Sequence, residues 1–509
     1  MSSHETATHR SEPADPATAF AAELAARLRA YGDRPCIEFG YRWYTGDEVV
    51  GYGDRIVAML HELGVRRSSA IGIVVRNRIV HAAAVFACIA NRYRIAMINS
   101  YQSAGAIARD VAGLRPAVVI ADRQDWTDEL RTACADAGIG VVLLAKERPE
   151  VMTPVRRPAA VRDGDRTGTA AGLQILTSGT TGPPKRVTIG PAALRHTVLS
   201  MTGGRTAAPD EPPELVCWPF GSIGICQLLA GPFLGTRMVL LEKFTVCEWV
   251  RAVKTYRLRR AGVQPTILRM LLEANVPRAD LDSLEYLFGG SGPLEPELRA
   301  EFERRYDATL LWAYGATEFA GSVCAWTPET HRRYGADKPD AVGRPLPGVD
   351  VRIIDPGTDA PVAPGGEGIL EARVSALGPD WIRTNDLASM DADGFVTIHG
   401  RADGAINRGG FKVLPETVRT VLLNHPAVRD ACVVGVADDR LGQVPFAAVE
   451  LREGRPVPTE TELQDLVRES LPSPHVPVAV AVVDALPRNA AMKAAVPDVM
   501  ALYGERRRT

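Results

Sequence analysis

Ile175-Leu176-Thr177-Ser178-Gly179-Thr180-Thr181-Gly182-Pro183-Pro184-Lys185 gathers four hydroxyls, two glycines and one cation into eleven residues. Leu173 to Leu176 is apolar enough to end a buried strand, and Val187-Thr188-Ile189 begins another, so the loop is expected on a rigid mount. Glycine lets backbone N–H groups converge on an anion, the hydroxyls donate further hydrogen bonds, and lysine supplies a mobile point charge. Phosphate suits all three. The loop is not a Walker loop, because only two residues separate Gly179 from Gly182 and Lys185 follows Pro184. An ordinary surface turn rich in Gly, Pro, Ser and Thr is the competing reading.

Further segments follow in order: Gly289-Gly290-Ser291-Gly292-Pro293-Leu294, Tyr314-Gly315-Ala316-Thr317-Glu318, Thr384-Asn385-Asp386-Leu387, Gly400-Arg401-Ala402-Asp403, Arg408-Gly409-Gly410-Phe411-Lys412, and Pro487-Arg488-Asn489 leading to Lys493. Together with the cradle, this series resembles the adenylate-forming superfamily: acyl-CoA synthetases, the adenylation domains of peptide synthetases, and beetle luciferases. The resemblance covers most of the chain. It implies an α/β fold, with a large N-terminal AMP-binding domain of several subdomains, parallel-type sheets flanked by helices, and a small mobile α+β C-terminal domain.

A chain of 509 residues that is 46% hydrophobic can bury sizeable cores. Its formal net charge of -2, without a long block of like charge, gives no electrostatic case for nucleic acid or an anionic membrane. A small-molecule partner fits better. The eight cysteines form no CxxC pair and sit mostly among apolar neighbours, as buried thiols in a reducing cytosol would. Residues 1–18 are polar and without an apolar core, so a disordered start is expected rather than a signal peptide. No apolar run reaches the roughly 20 residues of a bilayer span. The expectation is a soluble, cytoplasmic protein; a homodimer is left open.

Apolar residues recur at helical spacing over Phe20 to Leu28 and Val49 to Leu63, with short strands at Pro35 to Phe39 and Arg42 to Tyr44 between them. Strands at Ala70–Val75, Ile95–Asn99, Pro116–Ala121 and Gly140–Leu144, with a helix over His81–Ala90, extend the pattern. Apolar strands alternating with amphipathic helices imply parallel sheets covered on both faces. Beyond residue 400 the composition shifts. Helix Pro415–Leu423, strands Ala431–Val436 and Phe446–Leu451, helix Glu460–Ser470 and strand Ala479–Val483 then mark a compact unit of ordinary domain size. The expected division is 19–402 and 403–509, with Asp403 where the family's hinge residue falls.

The resemblance implies a two-step reaction in which ATP and a carboxylic acid give an acyl-adenylate, and coenzyme A then takes the acyl group. An anionic acid must approach an anionic triphosphate, so cations and a metal are needed to spread charge. Lys493 would reach the oxygen bridging acid and α-phosphate; without the family, it reads as a surface lysine. Lys185 and the cradle residues Thr177, Ser178, Gly179, Thr180, Thr181 and Gly182 would meet the phosphates. Glu318 would hold Mg2+, whose preference is for carboxylate and phosphate oxygens with several waters kept. Gly290, Ser291, Gly292, Ala313, Tyr314, Gly315, Ala316 and Thr317 would frame the adenine, with Tyr314 stacking on it. Asp386 would accept from the ribose hydroxyls, and Arg401 would donate to the sugar or a phosphate. Gly409, Gly410 and Phe411 would pass the pantetheine arm. Phe220, Gly221, Ser222 and Gly289 would line an acyl pocket whose small residues admit a bulky acid, and no aspartate stands ready for an α-amino group.

Three departures from the family pattern fall near the phosphate chemistry: Arg186, Asn385, and Met492 where glycine usually precedes the lysine. Met restricts φ beside Lys493, so slow adenylation is expected with the thioester half spared. A ligase is therefore weighed against an enzyme that only forms thioesters from ready-made adenylates, a nucleotide-binding protein without turnover, and a luciferase-like oxygenase.

Overall fold

The computed structural model describes residues 16–67, 69–146, 152–159, 172–177, 185–221, 224–290, 292, 294–402, 404–408, 411–438, 440–489 and 493–506. Contacts divide the chain into two compact units: residues 1–175, 188–208 and 228–237, and residues 176–187, 209–227 and 238–509.

The first unit is built on strands that run in the order Thr153–Arg156, Gly140–Leu144, Val118–Asp122, Ala70–Val75 and Arg94–Asn99, the last pairing in parallel with residues 172–174. Ala70–Val75 pairs in parallel with both Arg94–Asn99 and Val118–Asp122. The central strands are near-continuous runs of Ile, Val and Ala, as burial on both faces requires. Helix Gly46–Glu62 is fixed at its start by a capping box, in which Thr45 and Glu48 satisfy each other's backbone N–H groups. It starts three residues before the apolar periodicity does, because the cap residues are polar.

At the carboxyl ends of Ala70–Val75 and Val118–Asp122, charge is buried rather than exposed. Arg78 donates to Asp122 at 2.5 Å and Arg76 to Asp125 at 2.6 and 2.8 Å. His81 Nε2 stands 3.6 Å from the Asp122 carboxylate, beyond hydrogen-bond length. Burial pushes the Asp122 carboxyl up, but His81, the Gln124 N–H and Arg78 outweigh it and hold the group well below the usual carboxylate range.

Among the described residues, three sheets lie wholly in the second unit. Strands Arg260–Val263, Tyr286–Gly289 and Thr309–Ala316 are parallel, and Gly321–Ala325 turns back antiparallel. Strands Val349–Ile354, Glu367–Val374, Ile382–Met390 and Val396–Arg401 form an antiparallel sheet for which no strand is predicted from the sequence. Toward the chain's end, Val428–Asp438 and Gly442–Leu451 form a long hairpin pair, with Ala479–Val483 added in parallel. This last sheet has apolar clusters on both faces: Val418, Leu422, Val433 and Leu463 on one, Val434, Phe446 and Val499 on the other. Helix Val496–Arg506 covers the second cluster and lies beyond the expected pattern, because its stripe is short and broken by Gly504. Seven of the eight cysteines are buried, while Cys247 is exposed.

Replacing Asp122 leaves the Arg78 guanidinium, itself 3% exposed, without its carboxylate. Asp122→Ala is expected to lower the unfolding free energy by about 3–5 kcal/mol. Because the native carboxyl is depressed, its contribution is complete above the unfolded value of about 3.9 and is lost as pH falls through the folded value. Urea unfolding at neutral pH tests this. A midpoint equal to that of the unmutated protein would contradict it.

Candidate active site

Tyr314 lies at the end of the strand Thr309–Ala316, where the pairing with Gly321–Ala325 is irregular between Tyr314 and Gly315. At Gly315 a Cβ would meet the Gly321 carbonyl oxygen at 2.2 Å, so only glycine lets the two strands close there. The chain then makes a short 3-10 turn, Thr317–Phe319, and reverses through Ala320 at φ 58°. Buried Phe319 pins the turn, leaving Glu318 exposed. Ala313, Ala316 and Thr317 are half-buried around it, and Gly315 is exposed.

The Tyr314 hydroxyl donates to the Asp386 carboxylate, 72 residues on. Burial and the Asp386 charge push the Tyr314 phenol far above its ordinary value, so it remains a donor. The Asp386 backbone is itself held: its N–H donates to the Thr384 hydroxyl at 3.0 Å, which in turn donates to the Leu370 carbonyl at 2.8 Å. Arg401 is the cross-strand partner of Asp386, with its guanidinium 3.8 Å from the carboxylate.

Lys493 approaches the same pair from the chain's end. Its loop is closed on itself, since the Asn489 N–H donates to the Lys493 carbonyl at 2.8 Å and the Lys493 N–H to the Asn489 side chain at 3.1 Å. The side chain keeps accessible surface, yet protein crowds its amine. That crowding lowers the amine below the ordinary lysine range; the Asp386 carboxylate opposes the shift and the Arg401 guanidinium adds to it. Tyr314 and Arg401 thus both reach Asp386, and the charges of Asp386 and Arg401 act on the Lys493 amine.

The glycine loop before Ser291 is also tied to this region. A Cβ on Gly290 would come within 2.8 Å of the Ala313 carbonyl oxygen, and one on Gly289 within 1.9 Å of the Trp312 ring. The Trp312 indole N–H donates to the Gly292 carbonyl at 2.9 Å. Sequence reasoning passed over Trp312, whose signal is a large aromatic in register with a glycine on the neighbouring strand. A second omission is Phe288. It is 40% exposed although it sits in an interior strand, opposite Gly262, whose missing Cβ leaves room for the Trp218 ring at 3.3 Å. Phe220 and Gly221 are buried nearby in sequence.

Ser178, Gly179, Thr180, Thr181, Gly182, Ser222, Ser291, Asp403, Gly409, Gly410 and Met492 lie outside the described residues, as do the side chains of Thr177, Lys185 and Phe411. Among the described residues, no group of three or more His, Cys, Asp or Glu is arranged to hold a metal ion. No described helix is long and apolar enough to cross a membrane.

The profile of the AMP-binding enzyme family matches residues 24–377, and that of the AMP-binding enzyme C-terminal domain matches residues 418–493. The chain belongs to the AMP-binding enzyme family. It is 32% identical over 351 residues to a probable 2-succinylbenzoate–CoA ligase of Mycobacterium tuberculosis, covering 65% of this chain and 84% of that protein. It is 27% identical over 485 residues to the 2-succinylbenzoate–CoA ligase of Bacillus licheniformis, covering 92% and 97%. Among solved structures, o-succinylbenzoate CoA synthetase from Bacillus subtilis, in complex with its acyl-adenylate intermediate, superposes with a TM-score of 0.78 at 23% identity, covering 94% of this chain and 97% of that one. The amide bond synthetase of Marinactinospora thermotolerans gives a TM-score of 0.79 at 25% identity, covering 96% and 100%.

The packing of Trp312 over Gly289 is directly testable. Gly289→Val is expected to displace the indole and lower stability by about 1–3 kcal/mol. An unchanged urea midpoint would mean that the ring does not need the glycine.

Proposed function

We propose that this protein is an AMP-forming carboxylic acid–CoA ligase that works through an acyl-adenylate. The observation that supports the reading is the contact of Tyr314 and Arg401 with Asp386, together with the effect of the Asp386 and Arg401 charges on the Lys493 amine. In the first step a carboxylate oxygen of the acid attacks the α-phosphorus of ATP, and the bond to the β-phosphate breaks to release pyrophosphate. In the second the CoA thiol, losing its proton, attacks the acyl carbon, and AMP leaves with the electrons of the broken C–O bond.

This chain's residues divide the work. Asp386 accepts from the ribose, oriented by the Tyr314 hydroxyl, while the Tyr314 ring lies against the adenine. Lys185 and the hydroxyls of the cradle take the β- and γ-phosphates. Arg401 and Lys493 face the α-phosphate, where negative charge concentrates as acid and phosphate join. Mg2+, if held by the exposed Glu318 carboxylate together with phosphate oxygens, supplies further charge neutralisation. The segment from Asp403 onward turns after the first step, so that Gly409 and Gly410 replace Lys493 at the cleft and admit pantetheine. The acid is bulky and lacks an amino group. Phe220, Gly221, Ser222 and Gly289 belong to its pocket, and the exposed ring of Phe288, across the ladder from Gly262, favours a flat, apolar acyl body.

Acids offered with ATP and CoA, including 2-succinylbenzoate, 4-coumarate, benzoate and octanoate, are expected to give AMP and a thioester with at least one aromatic member. ATP–pyrophosphate exchange without CoA should follow with that acid. Thioester formation from supplied adenylates without any exchange would overturn the two-step reading.

The lowered Lys493 amine gives a sign to the pH dependence. Adenylation needs the ammonium, so exchange should fall as pH rises through a value below the ordinary lysine range of about 10.4. Lys493→Ala should lower exchange by about 10²–10³ and flatten that alkaline limb. A limb that persists in Lys493→Ala would assign it to another group.

A further inference from the structure

Glu295 follows directly on the loop Gly289 to Leu294 and is 8% exposed. Its Oε1 accepts from Arg419 at 2.7 Å and lies 2.7 Å from an Arg269 nitrogen; its Oε2 has no hydrogen-bond partner among the described residues. Arg419 also donates to the Ala431 carbonyl at 2.8 Å and to Asp430 Oδ1 at 2.7 Å. Asp430 Oδ2 accepts from Arg488 at 2.6 Å. Arg488 bridges to Ala494 across the loop that carries Lys493. A second branch runs in parallel: Arg429 reaches Glu273 at 2.7 Å and Glu450 at 2.6 Å, and Glu450 accepts from the Leu486 N–H at 2.9 Å. Arg419 also lies 3.6 Å from the Glu416 carboxylate, so four arginines meet five carboxylates.

We propose that Glu295 and Glu273 are positioning residues for the adenylation step: by holding Arg419 and Arg429 they seat the segment that ends in the Lys493 loop, so that its amine faces Asp386 and Arg401. The proposal rests on the ligase reading above. It explains an unusual division of partners. Breaking an ordinary buried ion pair strands a charge in a medium that cannot solvate it. Here, if the Glu295–Arg419 contact opens, Glu295 keeps Arg269 and Arg419 keeps Asp430. When Glu273–Arg429 opens, Arg429 keeps Glu450, and the Glu273 side chain is already one-third exposed. Both contacts can therefore part and re-form, as a segment that must leave after adenylation requires. The contacts within the departing segment, Arg419–Asp430, Arg488–Asp430 and Arg429–Glu450, travel with it and keep the lysine loop in shape.

The test uses the full chain carrying Glu273→Gln and Glu295→Gln together, with Glu295→Asp as the conservative variant. ATP–pyrophosphate exchange is measured with the acid that the unmutated protein exchanges fastest. Thioester formation is measured separately, from the chemically prepared adenylate of that acid and CoA. Exchange is expected to fall at least about tenfold while thioester formation stays within about twofold, and Glu295→Asp should recover part of the exchange. Equal losses in both half-reactions, or undiminished exchange, would overturn the positioning role while leaving the ligase reading intact. If the double variant fails to unfold cooperatively, Glu273→Gln alone must still depress exchange more than thioester formation, or the proposal fails. An unmutated protein that exchanges with no acid would instead defeat the ligase reading, and this proposal with it.

Discussion

Asp386 is the carboxylate on which the candidate site depends. Its backbone is fixed through Thr384 to the neighbouring strand, its side chain accepts from Tyr314, and Arg401 stands across the ladder from it. A carboxylate so placed has a set direction before any ligand arrives, which reduces the ordering that binding must impose. The same charge reaches Lys493, where it keeps the ammonium more favourable than crowding alone would allow. Removing Asp386 would therefore disturb three segments, because each is oriented or biased by it.

Charge is handled in two ways in this protein. In the first unit, Arg78 and Asp122 form a buried pair, with Gln124 accepting from Arg78 and donating its N–H to Asp122. In the second, Glu295, Arg419, Asp430 and Arg488 share partners, so that single contacts can open while every group remains compensated. Fixed pairs suit a scaffold, and shared pairs suit the departure proposed for the segment that ends in the Lys493 loop.

The parallel strands were legible because burial on both faces leaves runs such as Ala70–Val75 and Gly140–Leu144 with no polar interruption. The elements from Pro415 to Val483 were legible for a similar reason, their apolar faces being continuous. The antiparallel sheet from Val349 to Arg401 was not. Its strands set Arg352 and Arg383 opposite the buried Glu371 and Arg373 opposite the exposed Asp350, and Trp381 lies under two of those guanidinium groups, so no clean alternation survives. Tyr314, Asp386, Arg401 and Lys493 enter the candidate site only through the order of the motifs. The partners that support them, Trp312 beneath the glycine loop and Arg419 on Glu295, were not found. A pair separated by 124 residues leaves no periodic trace in the sequence.

The most direct test of adenylate chemistry follows an atom. An acid labelled with oxygen-18 in its carboxylate, turned over with ATP and CoA by the full chain, should transfer one labelled oxygen to AMP. The other should remain in the thioester carbonyl. Label in inorganic phosphate with ADP as the product, or AMP without label, would contradict attack by the carboxylate on the α-phosphorus and with it the function proposed for this protein.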